Sequence, residues 1–195
     1  MGSNPFLVGL TAEQRGTVSD VMHIFSKSAS SFKHMSRLLK NPNTGQLMGF
    51  LRKAKKLING IQVGETLLLP AIVENSELLL LLVRTSERFF DLIVVNTDPS
   101  KGLKHHAVNA AIDSRSSNIH FRTCMCLNDI EKKLALDDVF WSALFNLTMR
   151  SMKTNTEGDM ARFYDILLPF ITGKPLEQSL IDTELVREFA APGED

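Results

Sequence analysis

Glu65-Thr-Leu-Leu-Leu-Pro-Ala-Ile-Val73, Glu77-Leu-Leu-Leu-Leu-Leu-Val-Arg84 and Phe89-Phe-Asp-Leu-Ile-Val-Val-Asn96 follow one another with only Glu74-Asn-Ser76 and Thr85-Ser-Glu-Arg88 between them. Short runs of leucine, isoleucine, valine and phenylalanine bounded by polar turns read as strands, and connections this short make them antiparallel neighbours. Leu78 to Val83 is apolar without alternation, which predicts a middle strand covered on both faces, with helices supplying the cover.

Helical spacing replaces the strand period on the N-terminal side. Thr11-Ala-Glu-Gln14 has the form of a capping box, and Val18, Val21, Met22, Phe25 and Ala29 follow at helical intervals, predicting a helix over about 12–28. A serine-rich break at Ser28 to Ser31 then leads to a shorter helical stretch with Phe32, Met35 and Leu39 on one face, stopped by Asn41-Pro-Asn-Thr-Gly45. Leu47, Phe50, Leu51, Ala54, Leu57 and Ile58 define the next helix, with Arg52, Lys53, Lys55 and Lys56 on its wet side and Gly60 at its end.

On the C-terminal side, Asp98 to Gly102 is a turn, His105 to Ile112 suits a further strand, and Ile119 to Leu127 alternates. In that alternation Ile119, Phe121, Met125 and Leu127 oppose His120, Arg122, Cys124 and Cys126. Asp137 or Asp138 suits the cap of a helix whose stripe is Leu136, Val139, Phe140, Ala143, Leu144 and Leu147, beside Trp141. A helix from Thr156 with Met160, Phe163, Ile166, Leu167 and Phe170 apolar meets Pro169, and Leu176 to Phe189 suits a last helix. The fold class that follows is α+β: a central antiparallel sheet of about four to five strands with N-terminal and C-terminal helices packed on it. One domain over 1–195 is expected, helical and basic over 1–60, β-rich over 61–128, helical and acidic over 129–195.

With 195 residues, 44% hydrophobic and 23% charged, a sizeable core is affordable. The longest apolar run, Leu78 to Val83, is far short of the roughly 20 residues that cross a bilayer, so neither membrane insertion nor secretion is expected. Cys124 and Cys126 share a strand face in poor geometry for bridging, which points to reduced thiols and a cytoplasmic or nuclear setting. Residues 1–60 hold nine basic side chains against Glu13 and Asp20, a local net of +7, and because the whole chain is neutral the rest carries −7. That division either steers an acidic partner to the N-terminal helices or draws the two parts together within the fold.

Phosphate-loop, dinucleotide-binding, zincin and EF-hand patterns are absent. His120, Cys124 and Cys126 with His105 and His106 upstream are soft ligands, but an in-strand Cys-Met-Cys lacks the paired turns of a structural zinc site, so no metal or cofactor is expected.

The order helices, strand, turn, apolar strand, turn, strand ending in Asn96-Thr-Asp98, then Gly102 and His105-His106, resembles the β-half of papain-like cysteine peptidases over about residues 60–110. The resemblance implies a histidine opening one strand of the core hairpin and an Asn or Asp near the end of the next, the position of Asn96 or Asp98. Asn75-Ser-Glu77 stands where that histidine belongs, and no cysteine precedes the sheet, so the resemblance implies a degenerate member that keeps the scaffold without the reaction.

The expected function is a non-catalytic protein-interaction or scaffold module within a larger protein or assembly, its partner another protein with an acidic surface meeting Arg52, Lys53, Lys55 and Lys56. Two alternatives stand beside it. One is an active papain-like cysteine hydrolase using His106, Asn96 and Cys124 or Cys126; the other is nucleic-acid binding through the basic N-terminal helices.

Overall fold

A computed structural model describes residues 11–40, 43–98, 100–102, 105–106, 122–151 and 157–176. The three apolar runs become strands β1 (Thr66–Val73), β2 (Ser76–Arg84) and β3 (Phe89–Asn96), and a fourth, β4 (Cys124–Glu131), completes a sheet of order β1-β2-β3-β4. All neighbours are antiparallel. Glu74 and Asn75, at φ 51° and 64°, form the two-residue connection between Val73 and Ser76, the left-handed pair whose twist matches a hairpin. β4 begins at Cys124, and its continuation to Glu131 runs past the expected end at Leu127; residues 107–121, with most of the strand expected over 105–112, lie outside the described residues.

Register aligns Leu67, Leu82, Leu92 and Leu127 in one row and Leu69, Leu80, Val94 and Met125 in the next, all on one face. That face is sealed by helix α2 (Thr44–Asn59) through Phe50, Leu51, Ala54 and Ile58 and by helix α4 (Asp138–Ser151) through Phe140, Trp141, Leu144 and Phe145. Burying side chains of this size stabilises by about 1.5–3 kcal/mol each before entropy is counted. The other face is apolar but less covered. Leu68, Ile93 and Cys126 are buried there, while Leu79, Leu81, Val83 and Val95 are only half-buried. The expectation of full cover on both faces of β2 is therefore corrected: its buried and half-buried residues alternate, and the apolar run reflects one dry face and one partly dry one.

The N-terminal helix α1 spans Ala12–Lys40. Its capping box closes in both directions, Thr11 N donating to Gln14 Oε1 at 2.9 Å and Gln14 N to Thr11 Oγ1 at 3.2 Å. No break occurs at Ser28 to Ser31. Serine is only mildly unfavourable inside a helix, and Ser28, fully buried, accepts from Leu68 N at 2.9 Å. The same device closes the outer edge of β1 along its length: Ile72 N donates to Thr148 Oγ1 at 3.3 Å and Glu74 N to Ser151 Oγ at 2.7 Å, while Pro70 has no N–H to satisfy. An edge that would otherwise template foreign pairing is capped by three hydroxyls and a proline.

Asn43 caps α2 by accepting from Gln46 N at 2.8 Å, and Asp137 caps α4 by accepting from Val139 N and Phe140 N at 2.7 and 3.1 Å. A short helix α3 (Lys132–Ala135) links β4 to α4. The last described rod comprises α5 (Asp159–Arg162), a π turn over Phe163–Leu167, and α6 (Leu168–Thr172). In the π turn Leu168 N donates to the Phe163 carbonyl five residues back. A proline at 169 has no N–H for the ordinary helical bond to residue 165, and the wide turn accommodates the gap. Two stripe assignments differ from the expected ones. Ile166 and Phe170 are exposed and Tyr164, Leu168 and Ile171 are buried instead, while on α4 Val139 is exposed and Phe145 turns inward. The helix expected over Leu176 to Phe189 lies outside the described residues beyond its first position.

Candidate functional site

At the end of the sheet a polar cluster gathers around Tyr164, a fully buried side chain carried by the π turn. Asn96, the last residue of β3, points to the core face and donates from Nδ2 to the Tyr164 hydroxyl at 3.2 Å and to the Lys101 carbonyl at 2.8 Å, while its Oδ1 accepts from Asp98 N at 2.9 Å. His106 Nε2 lies 2.8 Å from the same hydroxyl. With one proton and two lone pairs, that hydroxyl accepts from Asn96 and still has both a proton and a lone pair for His106, so the direction of this bond follows the imidazole tautomer. Burial pushes His106 down to about 4, opposed by the Arg122 backbone and reinforced by His105. Burial likewise pushes Tyr164 up to about 12, against the Asn96 bond.

His105 stacks flat on the Tyr164 ring, centroids 4.6 Å apart and planes within 2°, with Nδ1 3.4 Å from Asp165 Oδ1. Gly102, at φ 73°, makes the approach possible, because a Cβ there would sit 2.6 Å from Tyr164 Cε2. Beside the cluster Asp98 accepts from Ser76 Oγ at 2.6 Å and from Ser100 N and Oγ at 2.9 and 2.6 Å. The hydroxyl bonds, from Ser100 first, hold its carboxyl down at about 2.

The thiols lie elsewhere. Cys124 pairs with Val95 and Cys126 with Ile93, so strand alternation puts both on the sheet face opposite Asn96 and Tyr164. Cys126 is buried, donates to Asn128 Oδ1 at 3.0 Å, and is pushed up to about 12 by burial, then by Asp91 and Cys124. Asp91, itself raised by burial, sits where Asn128 and Asp129 of β4 together oppose one β3 residue and accepts from Asp129 N at 3.0 Å. His106 and Asn96 thus converge on Tyr164, and neither cysteine joins them. Among the described residues no three His, Cys, Asp or Glu side chains gather as a metal site; His120 lies outside those residues.

The basic residues of α2 divide. Lys55 Nζ is 3.0 Å from both Asp138 carboxylate oxygens, which ties the basic N-terminal helices to the acidic C-terminal part, while Lys27 pairs with Glu65 just before the sheet. Arg52 and Lys56 are exposed, and Lys53 is exposed with a partner of its own. A further surface went unread in the sequence. On α1, Val21, Met22 and Phe25 are 45%, 56% and 52% exposed, Ala29 is exposed and Val18 half-buried. The spacing had identified the stripe but not which way it faces. The signal for its direction was Lys27 and Ser28, polar residues placed to meet Glu65 and the edge of β1.

No helix among the described residues is long and apolar enough to cross a membrane. Neither a family model, nor a curated protein, nor a solved structure matches this chain.

Proposed function

We propose that the chain is a non-catalytic protein-interaction module serving as scaffold in a larger protein or assembly, and that its partner is a protein with an acidic surface. The observation that carries this reading is the outward apolar stripe of α1: three large side chains, Val21, Met22 and Phe25, each about half exposed and clustered within little more than one turn of the helix. Apolar groups left in water together, rather than singly, mark contact surfaces. Two unpaired thiols suit a cytoplasmic or nuclear compartment.

The polar cluster supports the same reading from the side of chemistry. A nucleophile needs a base within hydrogen-bond reach, yet the buried His106 faces Tyr164 and the thiols lie across the sheet. Ser76, within the Asn75–Glu77 stretch where the papain-like resemblance expects the histidine, bonds Asp98, which with Asn96 is one of its two possible orienters, at 2.6 Å, and neither side chain of that pair would take a proton near neutral pH. This suits a degenerate peptidase-like scaffold.

The test compares the parent with Met22→Asp/Phe25→Asp in affinity purification from the cells that produce the protein, after thermal melts show that the variant folds alike. Loss of the proteins that the parent retains is expected. Equal retention removes α1 from the interface. Rapid labelling of either thiol by an activity probe, abolished in His106→Ala, refutes the non-catalytic reading.

A further inference from the structure

The apolar stripe of α1 does not stop at Ala29. Steps of four, three, four, four, four and three residues carry Val18, Met22, Phe25, Ala29, Lys33, Arg37 and Lys40 along one side of the helix. Lys33, Ser36, Arg37 and Lys40 are exposed, and neither Lys33, Arg37 nor Lys40 has an ion pair among the described residues. The result is a ridge about 33 Å long at 1.5 Å per residue, apolar over its first half and cationic over its second. From Val21 to Gly64 the chain has no Asp or Glu at all, against eight Lys and Arg, so no acid close in sequence neutralises the cationic half.

We infer that this ridge is read end to end by a protein helix that is apolar beside Val18, Met22 and Phe25 and acidic beside Lys33, Arg37 and Lys40. The inference rests on the interaction reading above and adds the chemistry and polarity of the partner. A second copy of the ridge does not fit. Parallel pairing sets cation against cation, and antiparallel pairing sets apolar residues against cations. A nucleic acid would satisfy the cations but offers no apolar surface to Val21, Met22 and Phe25 beyond base stacking on the one aromatic ring. A helix lying in an anionic bilayer surface inserts an apolar face along its whole length with basic residues flanking the same turns, whereas here the two kinds of residue succeed one another along the axis. A helix laid in register along α1 buries the apolar half and pairs the charged half at once, and the charges also fix its direction.

The experiment uses the full chain, immobilised, with nuclease-treated extract of its source cells. Two variants are compared with the parent: Met22→Asp/Phe25→Asp in the apolar half and Lys33→Glu/Arg37→Glu/Lys40→Glu in the cationic half, both checked for an unchanged melt. Each is expected to reduce retention of the same protein by about tenfold or more. In the parent complex a zero-length carbodiimide crosslinker is expected to join Lys33 or Lys40 to carboxylates in a segment whose neighbouring apolar residues recur at helical spacing. If the apolar variant loses the partner and the cationic variant keeps it, the acidic character is refuted while the interaction reading stands. Retention by both variants, or no captured protein, removes both. Charge-dependent sedimentation of the purified chain with phosphatidylcholine–phosphatidylserine vesicles, or charge-dependent binding of a single-stranded oligonucleotide at physiological salt, overturns the partner class.

Discussion

Replacing His106 by Gln should flatten the acid side of the stability curve. In the folded chain the ring is pushed down to about 4 from an ordinary 6.5, so between those values the unfolded state binds a proton that the native state refuses. Stability therefore rises with pH across this window: the cost of the neutral ring is absent above pH 6.5 and grows as pH falls towards 4. A separation of roughly 2.5 units at 1.36 kcal/mol each gives about 3 kcal/mol over the whole window. Asp91, whose carboxyl is raised by burial, contributes in the opposite direction, and Glu65, held low by Lys27, contributes near the bottom of the window. Both remain in His106→Gln and cancel in the difference between the two proteins. Urea unfolding at intervals from pH 4 to 7.5 should show the parent losing about 3 kcal/mol more than the variant. Gln keeps an amide able to donate to the Tyr164 oxygen or accept from its proton, so the two proteins should differ far less at pH 7.5. Equal slopes would refute the reasoning, as would an NMR titration in which the His106 ring of the folded protein takes up its proton near pH 6.5.

The other expectations concern sites that can be probed singly. In native protein a maleimide should modify the half-buried Cys124 well before Cys126, which is buried and pushed up to about 12; mass spectrometry after short exposure decides, and equal labelling would contradict the burial. Thr148→Val keeps shape but leaves Ile72 N without its acceptor, and Ser28→Ala does the same to Leu68 N. Each should cost about 1–3 kcal/mol in urea unfolding, with faster amide exchange at the orphaned position. Gly102→Ala combines a left-handed φ with a Cβ driven against Tyr164 and Met160. It should destabilise by about 1–3 kcal/mol and shift the Tyr164 and His106 resonances, whereas an unchanged melt would mean the loop has room.

The sheet was legible because strand period, turn composition and apolar content agreed over Glu65 to Asn96, leaving β1, β2 and β3 no competing reading. The caps at Thr11 and at Asp137, the latter offered beside Asp138, were legible for the same local reason, whereas Asn43, read only as part of the stop before it, turns out to cap α2. What could not be read locally was anything decided by a distant partner. The π turn responds to Pro169, but which side chains it turns inward depends on the sheet end that receives Tyr164. Of the candidate residues, Asn96 and His106 were grouped with the cysteines in the hydrolase alternative, and these two do lie together. Their common partner, Tyr164, sits far along the chain on a helix where an aromatic reads as ordinary core. The cysteines were placed on one strand face correctly, but a strand alone does not say which face looks towards the histidine.

Periodicity gives the spacing of a helical stripe and leaves its direction open. On α2 the two agree, because Leu47, Phe50, Leu51, Ala54 and Ile58 are the only side that an apolar sheet face would accept. On α1 they separate, since what receives the helix is the edge of β1, and an edge asks for acceptors. Ser28 supplies one to Leu68 N and Lys27 reaches Glu65, so the polar side of α1 turns inward and the apolar side is left facing water. Without the edge requirement, burying Val21, Met22 and Phe25 would stabilise the fold by several kcal/mol. The fold forgoes that contribution to close its edge, and an outward stripe retained on those terms is a surface that a partner can cover.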